Sequence, residues 1–214
     1  MSQLLIFDFD GTLADTWRDI ATALNRTLGG ARLPAAADGD VRQWIGEGVR
    51  RLIERALPEP ARSPERIDEL AAAFAAHYAQ CCTETTALYP AIAECLDAVS
   101  RHPLAILSNK PTRFLIAIAE HLGIASRFAT IVGGDRLPVA KPDPAAVKQV
   151  VRAVGVVCDT IWMIGDSAVD VAAGARAGAR TIGCAWGLRG AAELRAAGAE
   201  FIVETPDEIR FIVG

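Results

Sequence analysis

Apolar and polar positions change their period twice along this chain. Leu4, Leu5, Ile6 and Phe7 form an unbroken apolar run, too short for a helix and without helical spacing, which reads as a buried strand. From Trp17 the period lengthens. Trp17, Ile20, Leu24 and Leu28 recur at three and four residues and predict a helix ended by Gly29-Gly30, with Thr16 as N-cap and Asp19 three residues on. Val49, Leu52, Ile53, Ala56 and Leu57 predict a second helix after Gly46-Glu47-Gly48. Ile67, Leu70, Ala71, Phe74 and Tyr78 predict a third, opened by Ser63-Pro64 as cap and first-turn proline. No strand-like run interrupts them. Residues 15–84 therefore read as a small helical domain inserted after the first strand, with Thr83-Glu84-Thr85-Thr86 as the return linker.

From Tyr89-Pro90 the pattern alternates. Strands are expected at 104–108, 129–133, 160–165, 180–185 and 200–203. Helices are expected at 91–100, from Pro111-Thr112 to Gly123, from Asp143-Pro144 to about Gly155, at 168–177, near 191–197 and after Pro206. Strands alternating with helices imply a parallel sheet with right-handed crossovers. The expected fold class is α/β: a Rossmann-like, doubly wound parallel-sheet core from residues 1–14 and 85–214, carrying the helical insert as a cap. Such sheets bind ligands at the carboxyl ends of their strands, where the order reverses, and the first strand suits that central place.

Composition narrows the function classes. At 214 residues with 51% hydrophobic and 22% charged positions, the chain can bury a real core. A net charge of -4 and the lack of a basic run argue against nucleic-acid or anionic-membrane binding. No signal peptide or membrane span is evident, so a cytoplasmic place is expected, as a monomer or small homo-oligomer. The five cysteines form no Cys-x-x-Cys pair and read as small apolar residues in a reducing compartment. Only three residues are lysine, against 19 arginines, and two of the three, Lys110 and Lys141, lie beside strand ends. A compact ammonium there suits a phosphate as a point charge.

The chemistry begins where the first strand stops. Side chains alternate along a strand, so Asp8 and Asp10 are expected on one side and Phe7 and Phe9 on the other. Two carboxylates this close persist only if one is protonated or a cation lies between them. Gly11 lets the backbone turn sharply and approach a ligand. Strand 104–108 ends in Ser108-Asn109-Lys110 just before a helix N-terminus, which makes an anion site. Lys141-Pro142-Asp143-Pro144 sets an ammonium ahead of another helix, and Gly165-Asp166-Ser167 is followed one turn later by Asp170. Hard carboxylate oxygens with few ligands suit Mg²⁺, and the substrate is then a phosphate ester.

In that order, FDFDGTLADT, SNKP, GGDRLPVAKPDP and GDSAVDVAAGARAG resemble the four motifs of the haloacid dehalogenase superfamily of phosphohydrolases. The resemblance covers essentially the whole chain. VRQWIGEGVRRLIERAL and GGDRLPVAKPDP are similar, more narrowly, to the phosphoglycolate phosphatases. Ser108 stands where threonine is common, Arg136 where a small residue is frequent, and Trp186–Gly190 replaces a usual Gly-Tyr segment.

The resemblance implies that Asp8 is the nucleophile and forms an aspartyl-phosphate, while Asp10 protonates the leaving alkoxide and then deprotonates water. It implies Mg²⁺ held by Asp8, the Asp10 backbone carbonyl and Asp166, with Asp170 supporting the metal. Ser108, Asn109 and Lys141 would bind phosphate. Gly46, Glu47, Gly48 and Arg50 are expected to select substrate from the cap, 2-phosphoglycolate being favoured. A dehalogenase has no need of an acid at Asp10. A phosphosugar mutase, phosphosugar phosphatase or pyrophosphatase keeps the same core residues. A non-catalytic phosphate-binding protein would be expected to have lost one of the four acids.

Overall fold

The computed structural model describes residues 2–214. Its elements run β1 (Gln3–Phe7), β2 (Ala14–Asp15), α1 (Trp17–Gly30), α2 (Asp38–Trp44), α3 (Val49–Ala56), α4 (Pro64–Cys81) and β3 (Ala87–Leu88). There follow α5 (Ile92–Ala98), β4 (Leu104–Ser108), α6 (Thr112–His121), β5 (Thr130–Gly133), α7 (Pro144–Val154) and β6 (Thr160–Gly165). The chain ends with α8 (Ala168–Ala177), β7 (Arg180–Cys184), α9 (Gly190–Ala196), β8 (Phe201–Val203) and α10 (Ile209–Val213).

Six strands form one parallel sheet in the order β5-β4-β1-β6-β7-β8. The chain steps outward from β1 to β4 and β5, then returns to the other side of β1. Strand β1 is therefore the point where the order reverses and where its carboxyl end opens a crevice. Its side chains alternate as the pleat requires: Leu5 and Phe7 pack into one apolar cluster, Leu4 and Ile6 into the other. All four are fully buried, which is why the run looks continuously apolar in sequence.

Helices α1 to α4 lie between β2 and β3, two short strands that pair antiparallel where the chain leaves and re-enters the sheet region. This ladder, and helix α2, have no counterpart in the expected elements. Two-residue strands carry too little periodicity to read, and of α2 only Val41 is buried, so no apolar stripe marks it. Ser63 caps α4 as expected, accepting from the Arg66 N–H.

Thr16 does not cap α1. Its hydroxyl donates instead to Asp10 Oδ1 at 2.6 Å, and Asp19 turns away to the return linker. There, Asp19 accepts from the N–H and hydroxyl of both Thr85 and Thr86. A buried carboxylate needs such donors, and the linker threonines supply them. All five cysteines are free thiols, and burial pushes the Cys95 thiol up to about 11. Among the described residues no helix is long and apolar enough to cross a membrane.

Candidate active site

Strand β1 delivers Asp8 to the sheet edge, and β6 delivers Asp166 beside it. The first turn of α8 adds Asp170. One oxygen from each lies within 4.8 Å of the other two, and all three side chains are buried. Burial, then the charge of neighbouring Asp170, pushes the Asp8 carboxyl up to about 7, although Lys141 pulls the other way. Burial, with the charges of Asp170 and Asp8, raises Asp166 well above the usual carboxylate range.

Lys141 stands among these acids with its Nζ 2.6 Å from Asp170 Oδ1 and 2.9 Å from Asp8 Oδ1. The first contact is a hydrogen bond. The second is an ion pair set off the line that a hydrogen bond needs, so Asp8 Oδ1 is buried without a hydrogen-bond partner. Asp170 is engaged through both oxygens: its Oδ2 accepts from the Ser167 N–H and hydroxyl and so closes a capping box on α8. Asp166 Oδ2 accepts from the Leu188 N–H at 2.7 Å. Backbone is pressed close around it. At Gly11, whose φ is +82, an added Cβ would lie 2.3 Å from Asp166 Oδ2, and at Gly187 it would lie 2.3 Å from Asp166 Cβ. The crowding of three buried acids against one ammonium, with an oxygen of Asp8 lacking a hydrogen bond, fits a small hard divalent cation. Asp8 and Asp166 have oxygens to give it. Asp170 offers an oxygen to the same point, shares its Oδ1 with Lys141, and also orients Ser167.

Asp10 does not share this cluster. The chain turns tightly after Phe9, whose carbonyl accepts from Thr12, Leu13 and Ala14. The Asp10 carboxylate meets Lys110 Nζ at 3.0 Å through the same Oδ1 that receives the Thr16 hydroxyl. The two neighbouring acids are thus separated by giving each its own lysine, not by sharing a cation. Lys110 also donates to Tyr78 Oη on α4 at 2.8 Å.

The phosphate-binding expectation divides. Ser108 is buried at the end of β4, and its oxygen accepts only a long 3.4 Å bond from Lys110 N–H. The Asn109 amide is spent on structure: it donates to the carbonyls of Gly46 and Lys141 and accepts from the Lys141 N–H. The positive end of α6 is likewise taken, because Asp135 Oδ1 accepts from both the N–H and hydroxyl of Thr112.

A cavity of about 60 Å³ lies between the sheet end and the helical insertion. Asp8, Asp10, Ser108 and Lys110 form its floor, and Gly46 and Gly48 border it from above. Glu47 and Arg50 do not reach it. Glu47 pairs with Arg55, and Arg50 turns to Asp68 on α4, more than half exposed. An eight-residue helix presents its second residue outward when the first and fourth, Val49 and Leu52, face in. Lys110, Thr16 and Tyr78 join the site although sequence spacing placed the last two in helix packing and capping. The scarcity of lysine and the Ser108-Asn109-Lys110 strand end were the signals that pointed to Lys110.

Arg189 ties the segment after β7 to the insertion, donating to the Ile45 carbonyl at 2.5 Å and the Arg42 carbonyl at 3.3 Å at the end of α2. Arg136 is exposed and touches none of these groups.

A family model for haloacid dehalogenase-like hydrolases matches residues 5–184. The chain belongs to this family. It is 34% identical over 214 residues to a phosphoglycolate phosphatase of Colwellia psychrerythraea, spanning 97% of this chain and 95% of that one. It is 37% identical over 204 residues to a phosphoglycolate phosphatase of Psychrobacter arcticus, spanning 90% and 87%. The crystal structure of a predicted phosphoglycolate phosphatase from Haemophilus somnus 129PT superposes with a TM-score of 0.91 at 28% identity, covering 100% of this chain and 98% of that one. As a haloacid dehalogenase-like hydrolase, the protein is an enzyme of the α/β Rossmann-like class that the alternating pattern predicted.

Proposed function

We propose that this hydrolase is a Mg²⁺-dependent phosphate-monoester hydrolase that works through an aspartyl-phosphate and that its substrate is 2-phosphoglycolate. One observation carries the chemistry. Asp8 holds a buried oxygen without a hydrogen bond beside Lys141 and Asp166, while Asp10 stands apart, paired with Lys110 and lining the cavity.

Asp8 attacks phosphorus and the P–O bond to the alkoxide breaks. Asp10 gives the alkoxide its proton. Thr16 and Lys110 hold Asp10 through Oδ1, which leaves Oδ2 to face the leaving oxygen. Asp10 next takes a proton from water as that water attacks the aspartyl-phosphate, and phosphate and free Asp8 result. Ser108 and Lys141 carry the phosphoryl oxygens through both steps. Held by Asp8, the Asp10 backbone carbonyl and Asp166, Mg²⁺ would supply the positive charge that phosphoryl transfer needs.

The substrate reading rests on size and on the relatives' names. A cavity of about 60 Å³ has room for roughly four to six water-sized groups. A two-carbon hydroxy acid is of that size. In this reading the insertion acts as a cap that closes over the substrate, with the β2–β3 ladder and the Thr85–Thr86 linker at its hinge. The test is turnover of a panel of small phosphate esters with Mg²⁺ and with chelator. Activity indifferent to chelator would remove the metal role, and turnover of phosphosugars without phosphoglycolate would move the substrate class.

A further inference from the structure

The wall of the cavity above Asp10 is almost entirely apolar: Ile20, Ile45, Val49, Leu52, Phe74 and Phe114. Into it project two buried polar groups that no step above uses fully. Lys110 is 7% exposed and is the one cationic side chain among the lining residues. Its ammonium carries three donors: one goes to Tyr78 Oη at 2.8 Å, and another side faces Asp10 Oδ1 in an ion pair at 3.0 Å. Nζ also lies 4.5 Å from the centre of the Tyr78 ring, but no other described residue accepts a hydrogen bond from it. Tyr78, 1% exposed, spends its oxygen as an acceptor from Lys110, so its own hydroxyl proton also has no acceptor among the described residues. Phe74 stacks on the Tyr78 ring at 5.4 Å and Phe114 meets it edge-on at 4.9 Å, so the hydroxyl is fixed in place.

Unused donors facing a largely apolar wall are costly unless a ligand satisfies them. One comes from the loop after β4 and the other from α4, so they meet only when the insertion lies over the sheet. We propose that Lys110 Nζ and Tyr78 Oη together form the subsite for the carboxylate of the leaving group, which makes them the residues that select a short anionic ester. The inference rests on the phosphoglycolate reading above and adds to it the groups that read the substrate's second charge. Lys110 supplies the charge that Glu47 and Arg50, paired elsewhere, do not bring to the cavity, while Gly46 and Gly48 border it. The apolar wall explains why one cation suffices: with little water to compete, a single charge-assisted pair is strong.

The test compares kcat/KM on 2-phosphoglycolate and on ethyl phosphate, which keeps the two-carbon ester and lacks the carboxylate. It uses the Mg²⁺-loaded wild type, Lys110→Met and Tyr78→Phe. The expected result is a wild-type preference for phosphoglycolate that Lys110→Met reduces roughly ten- to a hundredfold and Tyr78→Phe several-fold, mainly through KM. Equal losses on both esters would mean that Lys110 serves Asp10 alone and would overturn the subsite. A preference that survives both substitutions would overturn it while leaving the phosphoglycolate reading intact. A wild type without the preference would overturn that reading and the subsite with it. Should Lys110→Met fail to fold, Tyr78→Phe, which keeps the packed ring, still decides between these results.

Discussion

Lys141 Nζ and Asp170 Oδ1 lie 2.6 Å apart, both side chains nearly inaccessible to water and 29 residues apart in sequence. Such a contact matters most when it is broken, because the partner left behind is an uncompensated buried charge. Lys141→Met should abolish turnover and destabilise the protein by about 3–5 kcal/mol at pH 8. Adding Asp170→Asn to it should restore part of that stability. Urea unfolding of the two single variants and the double variant measures the coupling. Strictly additive losses would count against a direct buried pair.

The nucleophile gives a cleaner separation of fold from function. Asp8→Asn is nearly isosteric and removes a charge that burial already opposes. The variant should therefore fold at least as stably as the wild type without metal, yet lose turnover by several orders of magnitude. Thermal melts and hydrolysis of p-nitrophenyl phosphate check both halves. Substantial residual turnover would remove Asp8 from its role.

Protons and metal should compete. The Asp8 carboxyl, at about 7 in the folded chain against an ordinary 3.8, binds its proton more tightly folded than unfolded, and Asp166 shifts the same way. The contribution of Asp8 to metal-free stability is thus full below about pH 4 and is lost as pH rises through 7, and Asp166 acts in the same direction. Mg²⁺ binds the ionised form, so its stabilisation should be larger at pH 8 than at pH 5.5. Melts with Mg²⁺ and with chelator at the two pH values read this directly. Ca²⁺, which takes roughly six to eight oxygens at longer distances, should inhibit by engaging both oxygens of Asp8.

Gly187 sets the room available to Asp166. A Cβ there would fall 2.4 Å from the Gly11 carbonyl and 2.6 Å from Asp166 Oδ2. Gly187→Ala should displace Asp166 and raise the Mg²⁺ concentration for half-maximal activity. Unchanged Mg²⁺ dependence would show that the segment yields instead.

Asp19 holds the return linker to α1 through the N–H and hydroxyl groups of Thr85 and Thr86. Asp19→Ala leaves those donors unpaired and should cost about 2–4 kcal/mol. Chemical denaturation measures the loss. If the linker orients the cap, KM for phosphoglycolate should rise as well.

The alternation of strands and helices, the helical insertion and the four strand-end motifs were legible because each rests on local periodicity or on residues a few positions apart. Leu4–Phe7 is apolar on both faces, Trp17–Leu28 repeats with the helix, Asp8, Ser108 and Asp166 each end or follow a strand, and Lys141 lies just ahead of α7. Those features determined the α/β class and brought Asp8, Asp166, Asp170 and Lys141 together at one end of the sheet. What only the tertiary structure decided is the pairing of charges across long separations. Asp10 and Asp8 went to different lysines, Asn109 and Asp135 were spent on holding loops and a helix end, and Thr16 left its helix to hold Asp10. Lys110 met Tyr78 across 32 residues, while Arg50 turned outward to Asp68. A buried charge takes whichever partner the packed elements bring within about 3 Å, and sequence spacing carries no measure of that distance.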